Sequence, residues 1–167
     1  MVLYNIKNTK DFMNRLLLQD SFDGLLLIEA TVTTFSTFHI DGVLHPEFYA
    51  RDEDKKNALE GRMFSLWGEV RKFCLELIKG KFTPLGFQIV LGLPAEGVSK
   101  LAGTFAPTFK PSDISGLYLS IRYSGGSSTV TTGTSLKTFT LDKTLEHAWD
   151  EEAGRLLSSN GVEVEHA

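Results

Sequence analysis

Two stretches of this chain pair strand-like segments across turns too short for anything but antiparallel packing. Leu25–Thr33 is rich in Leu, Ile, Val and Thr, and Thr37–Leu44 follows it across Thr34-Phe35-Ser36. Leu117–Tyr123 and Ser128–Thr134 flank Ser124-Gly125-Gly126-Ser127, a strong hairpin signal. Strands so joined build an antiparallel sheet, and any helices must then cover a face of it.

The helical pattern is clearest from Ser65 to Lys79. Leu66, Trp67, Val70, Phe73, Cys74, Leu77 and Ile78 recur with the period that puts apolar side chains on one helical face. Ser65 is the expected N-cap and Gly80 the expected stop. Trp67 and Phe73 are read as core anchors. A second helix follows Asn8 or Thr9, with Phe12, Met13, Leu16 and Leu17 facing inward. A short third follows Pro94, carrying Val98 and Leu101. A closing helix begins after Asp142 and turns Leu145, Ala148, Trp149 and Leu156 inward.

Val2–Ile6 and Phe87–Leu93 complete the main strands, and Lys137–Leu141 is read as a last one. Residues 46–62 read as irregular, with a helical turn near Ala58-Leu59, and 103–115 as a loop. The expected order is β-α-β-β-α-β-α-β-β-β-α, an α+β fold with a mostly antiparallel sheet and helices on one face. Residues 1–157 form the expected single domain, and 158–167 a polar, frayed C-terminal tail.

The bulk properties narrow the function classes. The 167 residues carry a net charge of −4, and no run of Lys or Arg stands out, which disfavours nucleic acid as a partner. The mixed cluster Arg51-Asp52-Glu53-Asp54-Lys55-Lys56 reads as a solvated segment. The single cysteine, Cys74, rules out an internal disulfide and lies on the apolar helical stripe, as a buried, inert thiol would. The N-terminal segment lacks the pattern of a signal peptide, and no apolar run is long enough to span a bilayer. The expected setting is the cytoplasm, with no membrane partner.

Few residues point to chemistry. No phosphate loop, nucleophile elbow, zinc-helix motif, C-x-x-C or dinucleotide fingerprint is present. Gly125-Gly126 belongs to a hairpin turn, and the hydroxyl-rich run Thr129–Ser135 surrounds Gly133. His45 has no close partner in sequence, and His147, near Glu146, Asp150 and Glu151, reads as part of an exposed acidic helix face.

The first hairpin carries the most suggestive cluster. If its turn centres on Phe35, Thr33 pairs with Thr37, Thr31 with His39, and Glu29 with Asp41. Glu29, Thr31, His39 and Asp41 then share one polar surface and are the expected ligand-binding residues. A histidine between carboxylates suits a metal ion or acid–base chemistry, while polar alternation is also what any half-buried hairpin requires. No catalytic residue, metal ligand or cofactor is assigned. The leading expectation is a non-enzymatic binding or interaction module using the hydroxyl-rich sheet face. Its partner is an unidentified protein or peptide, with room for a small-molecule ligand. The alternatives are a small enzyme or metal-binding protein built on Glu29, His39 and Asp41, and a clamp-like accessory of DNA metabolism.

Three segments carry a resemblance: LLLIEATVTTFSTFHIDG, FCLELIKGKFTPL and TTGTSLKTFTLDKTLEHAWDE. They resemble a family of short proteins of Gram-positive, largely anaerobic bacteria that is known only as a domain of unknown function. The resemblance implies a bacterial cytoplasmic protein and brings no activity with it. The element order is also similar to one domain of the bacterial sliding clamp. The chain departs from that domain by an extra strand–helix insert over roughly 84–115 and by its closing helix. A clamp ring would also need several such domains and a basic inner face.

Overall fold

A computed structural model describes residues 1–167. Seven strands form one sheet: β1 (Leu3–Ile6), β2 (Leu26–Thr33), β3 (Thr37–Asp41), β4 (Gly86–Gly92), β5 (Ile114–Ser124), β6 (Ser127–Leu136) and β7 (Val164–His166). Their spatial order is β3-β2-β4-β5-β6-β1-β7, and every neighbouring pair is antiparallel. The helices are α1 (Thr9–Leu17), α2 (Glu53–Ala58), α3 (Trp67–Ile78), α4 (Ala95–Phe105) and α5 (Thr144–Ser159). The fold is α+β.

Alternation divides the sheet into two unlike faces. Leu27, Ala30 and Val32 on β2, Phe87, Ile89 and Leu91 on β4, and Leu117, Leu119 and Ile121 on β5 are all buried. Against this face lie Phe12 and Leu16 of α1, Trp67 and Cys74 of α3, Leu101 and Ala102 of α4, and Leu145, Trp149 and Ala153 of α5. The two indoles anchor the layers. Trp67 donates through Nε1 to the Leu16 carbonyl at 2.9 Å, and Trp149 to the Tyr118 carbonyl at 3.0 Å. Each bond satisfies a polar atom inside an apolar layer, where an orphaned one would be costly.

Capping explains where the helices begin. Asn8 accepts from the Asp11 amide at the start of α1, as expected. At α3 the expected Ser65 cap is replaced: its hydroxyl donates to the Gly42 carbonyl, and the Glu69 carboxylate accepts the Leu66 amide instead. Ser65 is diverted because residues 63–67 run between the diverging ends of β2 and β3. Bonds from Leu27 to Ser65 and from Ser65 to Gly42 stitch that insertion in place. Gly42 packs so tightly here that a Cβ would sit 1.8 Å from the Leu27 carbonyl oxygen.

Four expectations are corrected. Lys137–Leu141 is not a strand, because the place beside β6 is held by β1, which pairs Leu3 with Thr131. The C-terminal tail is not frayed: α5 runs to Ser159, Val162 is buried, and β7 pairs with β1. The 103–115 loop is shorter than expected, since α4 continues through Phe105 and β5 starts at Ile114. Phe73 is no core anchor. It is 55% exposed, because α3 buries only the side carrying Trp67 and Cys74, and Lys72 lies over its ring.

Candidate functional site

The sheet face opposite the helices has no layer over it. Along each strand the residues between the buried ones point there, and they are mostly polar, with the apolar Leu3 and Val90 among them, where the helix-bearing face is apolar. Two rows cross the strands. One runs Asp41, Glu29, Val90, Ser120, Thr131, Leu3; the other runs His39, Thr31, Gln88, Arg122, Thr129, Asn5. Neighbours in a row stand about 4.8 Å apart, the spacing between strands.

The expected register of the first hairpin is the observed one. Glu29 pairs with Asp41, Thr31 with His39, and Thr33 with Thr37. The turn does centre on Phe35, and this three-residue connection sets the register of the two strands. Thr31 Oγ1 and His39 Nδ1 are 3.2 Å apart, and Thr33 and Thr37 hydroxyls are equally close. Glu29, His39 and Asp41 lie on open surface, and nowhere do three His, Cys, Asp or Glu side chains converge to hold a metal ion. Asp41 instead accepts the Val43 amide at 2.7 Å, an interaction that shapes the end of β3.

Sequence reasoning singled out the hydroxyl-rich run that holds Thr129 and Thr131 but missed Gln88, Tyr118, Ser120 and Arg122 on β4 and β5. Gln88, Tyr118, Ser120, Arg122, Thr129 and Thr131 line a shallow groove of about 540 Å³ on the open face. Gln88 donates to the Ser120 hydroxyl at 3.0 Å, which holds both side chains across β4 and β5. Arg122 is the only cation on β4, β5 and β6, and its guanidinium is exposed. The alternation Tyr118, Ser120, Arg122 is the signal that could have found this groove. Gly133, inside the hydroxyl-rich run, sits in regular pairing opposite Tyr118.

The remaining single residues sort as follows. Cys74 is buried in the core, and burial pushes its thiol up to about 11. His45 lies 3.3 Å from Glu47, both exposed. Asp150 is not part of an exposed acidic face: it is buried, and its carboxylate accepts from the Thr132 hydroxyl and from the Met1 amino group. The Tyr4 hydroxyl donates to its main-chain carbonyl at 2.8 Å. These bonds hold β1 and β6 beneath α5.

Comparison with known proteins adds one match, over residues 15–165, to the model of a family of unknown function, DUF5721. The chain belongs to that family. The match takes in the whole of the open face except Leu3 and Asn5 of β1. No curated protein and no solved structure matched the DUF5721 chain. The likeness to a sliding-clamp domain therefore rests on element order alone. No helix of this DUF5721 protein is long and apolar enough to cross a membrane.

Proposed function

We propose that this protein is a non-enzymatic binding module that meets a protein or peptide partner through its open sheet face. The observation that carries the proposal is the composition of that face. Six strands contribute hydroxyls, the Gln88 and Asn5 amides and the exposed Arg122 guanidinium in rows, with Val90 an apolar member among them, while the fully buried apolar side chains of the central strands turn to the helices. Such a surface offers hydrogen-bond donors and acceptors on a rigid support, which suits specific recognition better than bond-making chemistry. The groove is shallow and open, so it lacks the water exclusion that most catalysis uses. A bacterial, cytoplasmic setting belongs to the same proposal. Three segments resembling a bacterial family support it, and a single buried Cys74 is at home in a reducing compartment.

A second reading, a small-molecule ligand at Glu29, His39 and Asp41, draws on the register that brings the three into adjacent rows. Native mass spectrometry of protein purified without chelators separates the two. The binding-module proposal expects the bare polypeptide mass and no turnover that His39→Ala removes. A bound small molecule lost in His39→Ala, or turnover abolished by it, would overturn the proposal in favour of the second reading.

A further inference from the structure

The two edges of the sheet differ. β7 is three residues long, whereas β3 is a five-residue strand with β2 on one side and nothing on the other. In an antiparallel strand, alternate residues turn both main-chain groups toward the neighbour and the rest turn them away. The Thr34 amide bonds the Ser36 carbonyl, and the Gly42 amide bonds the Ile28 carbonyl, so even-numbered residues of β3 face β2. Thr37, His39 and Asp41 therefore face outward. None of their main-chain groups takes part in any hydrogen bond outside the regular elements. Thr37-Phe38-His39-Ile40-Asp41 has no lysine, proline or bulge to guard this edge, and its one carboxylate, Asp41, stands at the end of the strand.

We propose that this edge takes β3 of a second copy of the chain, antiparallel and centred on His39. The choice of occupant follows from what that register brings together. Thr37 meets Asp41 of the other copy on the polar face, a hydroxyl against a carboxylate. Phe38 meets Ile40 on the helix-bearing face, where both are only half-buried in the monomer. Beyond the two ends of the strand, that register brings the Phe35 turn of one copy toward Val43 of the other. Both are exposed apolar residues, Phe35 at 94%, and they lie equally far from His39 on either side. The Phe35 ring already packs edge-on against Phe38, 5.8 Å between centroids, so the two rings form one apolar patch at the end of the strand. The three outward residues of each strand supply donors and acceptors for six main-chain hydrogen bonds across the axis. The two open faces would become one continuous surface with the His39 side chains adjacent. The contact is small for a dimer, so association is weak and reversible.

Sedimentation velocity over a wide concentration range tests this, with the amide exchange of Thr37, His39 and Asp41 followed alongside. The wild-type protein is expected to dimerise, and those three amides to exchange more slowly as dimer forms. His39→Pro removes an outward N–H without touching the bonds to β2; it is expected to weaken the dimer at least tenfold while the circular dichroism stays native. Arg122→Ala, on the open face and away from this edge, is expected to dimerise as wild type, which separates this proposal from the functional one. Wild-type protein that stays monomeric at the highest concentration overturns it. So does a dimer that leaves those amides unprotected or forms equally well in His39→Pro.

Discussion

Asp23 and Arg71 form a two-pronged ion pair, with both N–H···O bonds at 2.8 Å, that ties the turn before β2 to α3. Arg71 also donates to the Leu17 carbonyl at the end of α1. One guanidinium thus joins three segments, and lysine cannot reproduce its planar fork. Arg71→Lys is expected to cost about 1–2 kcal/mol in urea denaturation, and Asp23→Asn a similar amount, since each leaves a part-buried polar group short of a partner. The double variant should lose less than the sum of the two. Full additivity would mean that the pair does not act as a unit.

Gly42→Ala tests the seam where residues 63–67 enter between β2 and β3. A Cβ there would lie 1.8 Å from the Leu27 carbonyl oxygen, a main-chain atom that cannot swing aside. The expected destabilisation is about 3 kcal/mol or more, in the far tail of single substitutions. A variant within about 0.5 kcal/mol of wild type, the range of ordinary surface changes, would show that the seam is loose.

Cys74 sits at 0% exposure on α3, and burial raises its thiol to about 11. The thiolate is the reactive form, so both access and ionisation oppose modification. At pH 8 an aromatic disulfide reagent should leave native protein unlabelled and react stoichiometrically once urea unfolds it. Rapid labelling of the folded protein would contradict the packing of α3 on the sheet.

Glu146 carries a pH signature. Its hydrogen bond with the Lys143 ammonium, then that with the Met1 amino group, holds the carboxyl at about 2. A carboxyl whose folded pKa lies below its unfolded value adds stability above the unfolded value and loses it as pH falls through the folded one. The gap in stability between wild type and Glu146→Gln should therefore be full at pH 6 and shrink from about pH 4.5 toward pH 2. The effect is modest, because solvent screens the pair. A gap that stays constant over that range would contradict the ion pairing.

Local signals in the chain carried much of this architecture. The Glu29–Asp41, Thr31–His39 and Thr33–Thr37 pairings follow once the short turn is centred on Phe35, which alternation suggests and the structure shows. The inward stripe of α1 was readable from period alone, and that of α5 through Leu145, Ala148 and Trp149, after which the buried positions are Ala153 and Leu157 and Leu156 is only partly covered. What failed needed knowledge of neighbours. Phe139 and Leu141 alternate as a strand would, yet they stand 90% and 83% exposed because β1 had taken the adjoining place. Val164–His166 has too little pattern to announce a strand, and it exists because β1 offers it an edge. Asp150 looked like surface because nothing in its own helix shows that Thr132 and Met1 would converge on it. The candidate face was half visible. The hairpin end was legible, and the groove at Gln88, Ser120 and Arg122 emerged only once β4 and β5 were known to be neighbours.

The open face as a partner surface is tested most directly by quantitative affinity capture from cells that express the protein, comparing three baits. Arg122→Glu with Thr131→Arg alters the groove, and Glu151→Lys alters the exposed side of α5; neither set should shift the urea midpoint appreciably. The account predicts a partner held by wild type and by Glu151→Lys and depleted at least tenfold from the groove variant. A partner retained equally by all three baits, or lost only with Glu151→Lys, would contradict it.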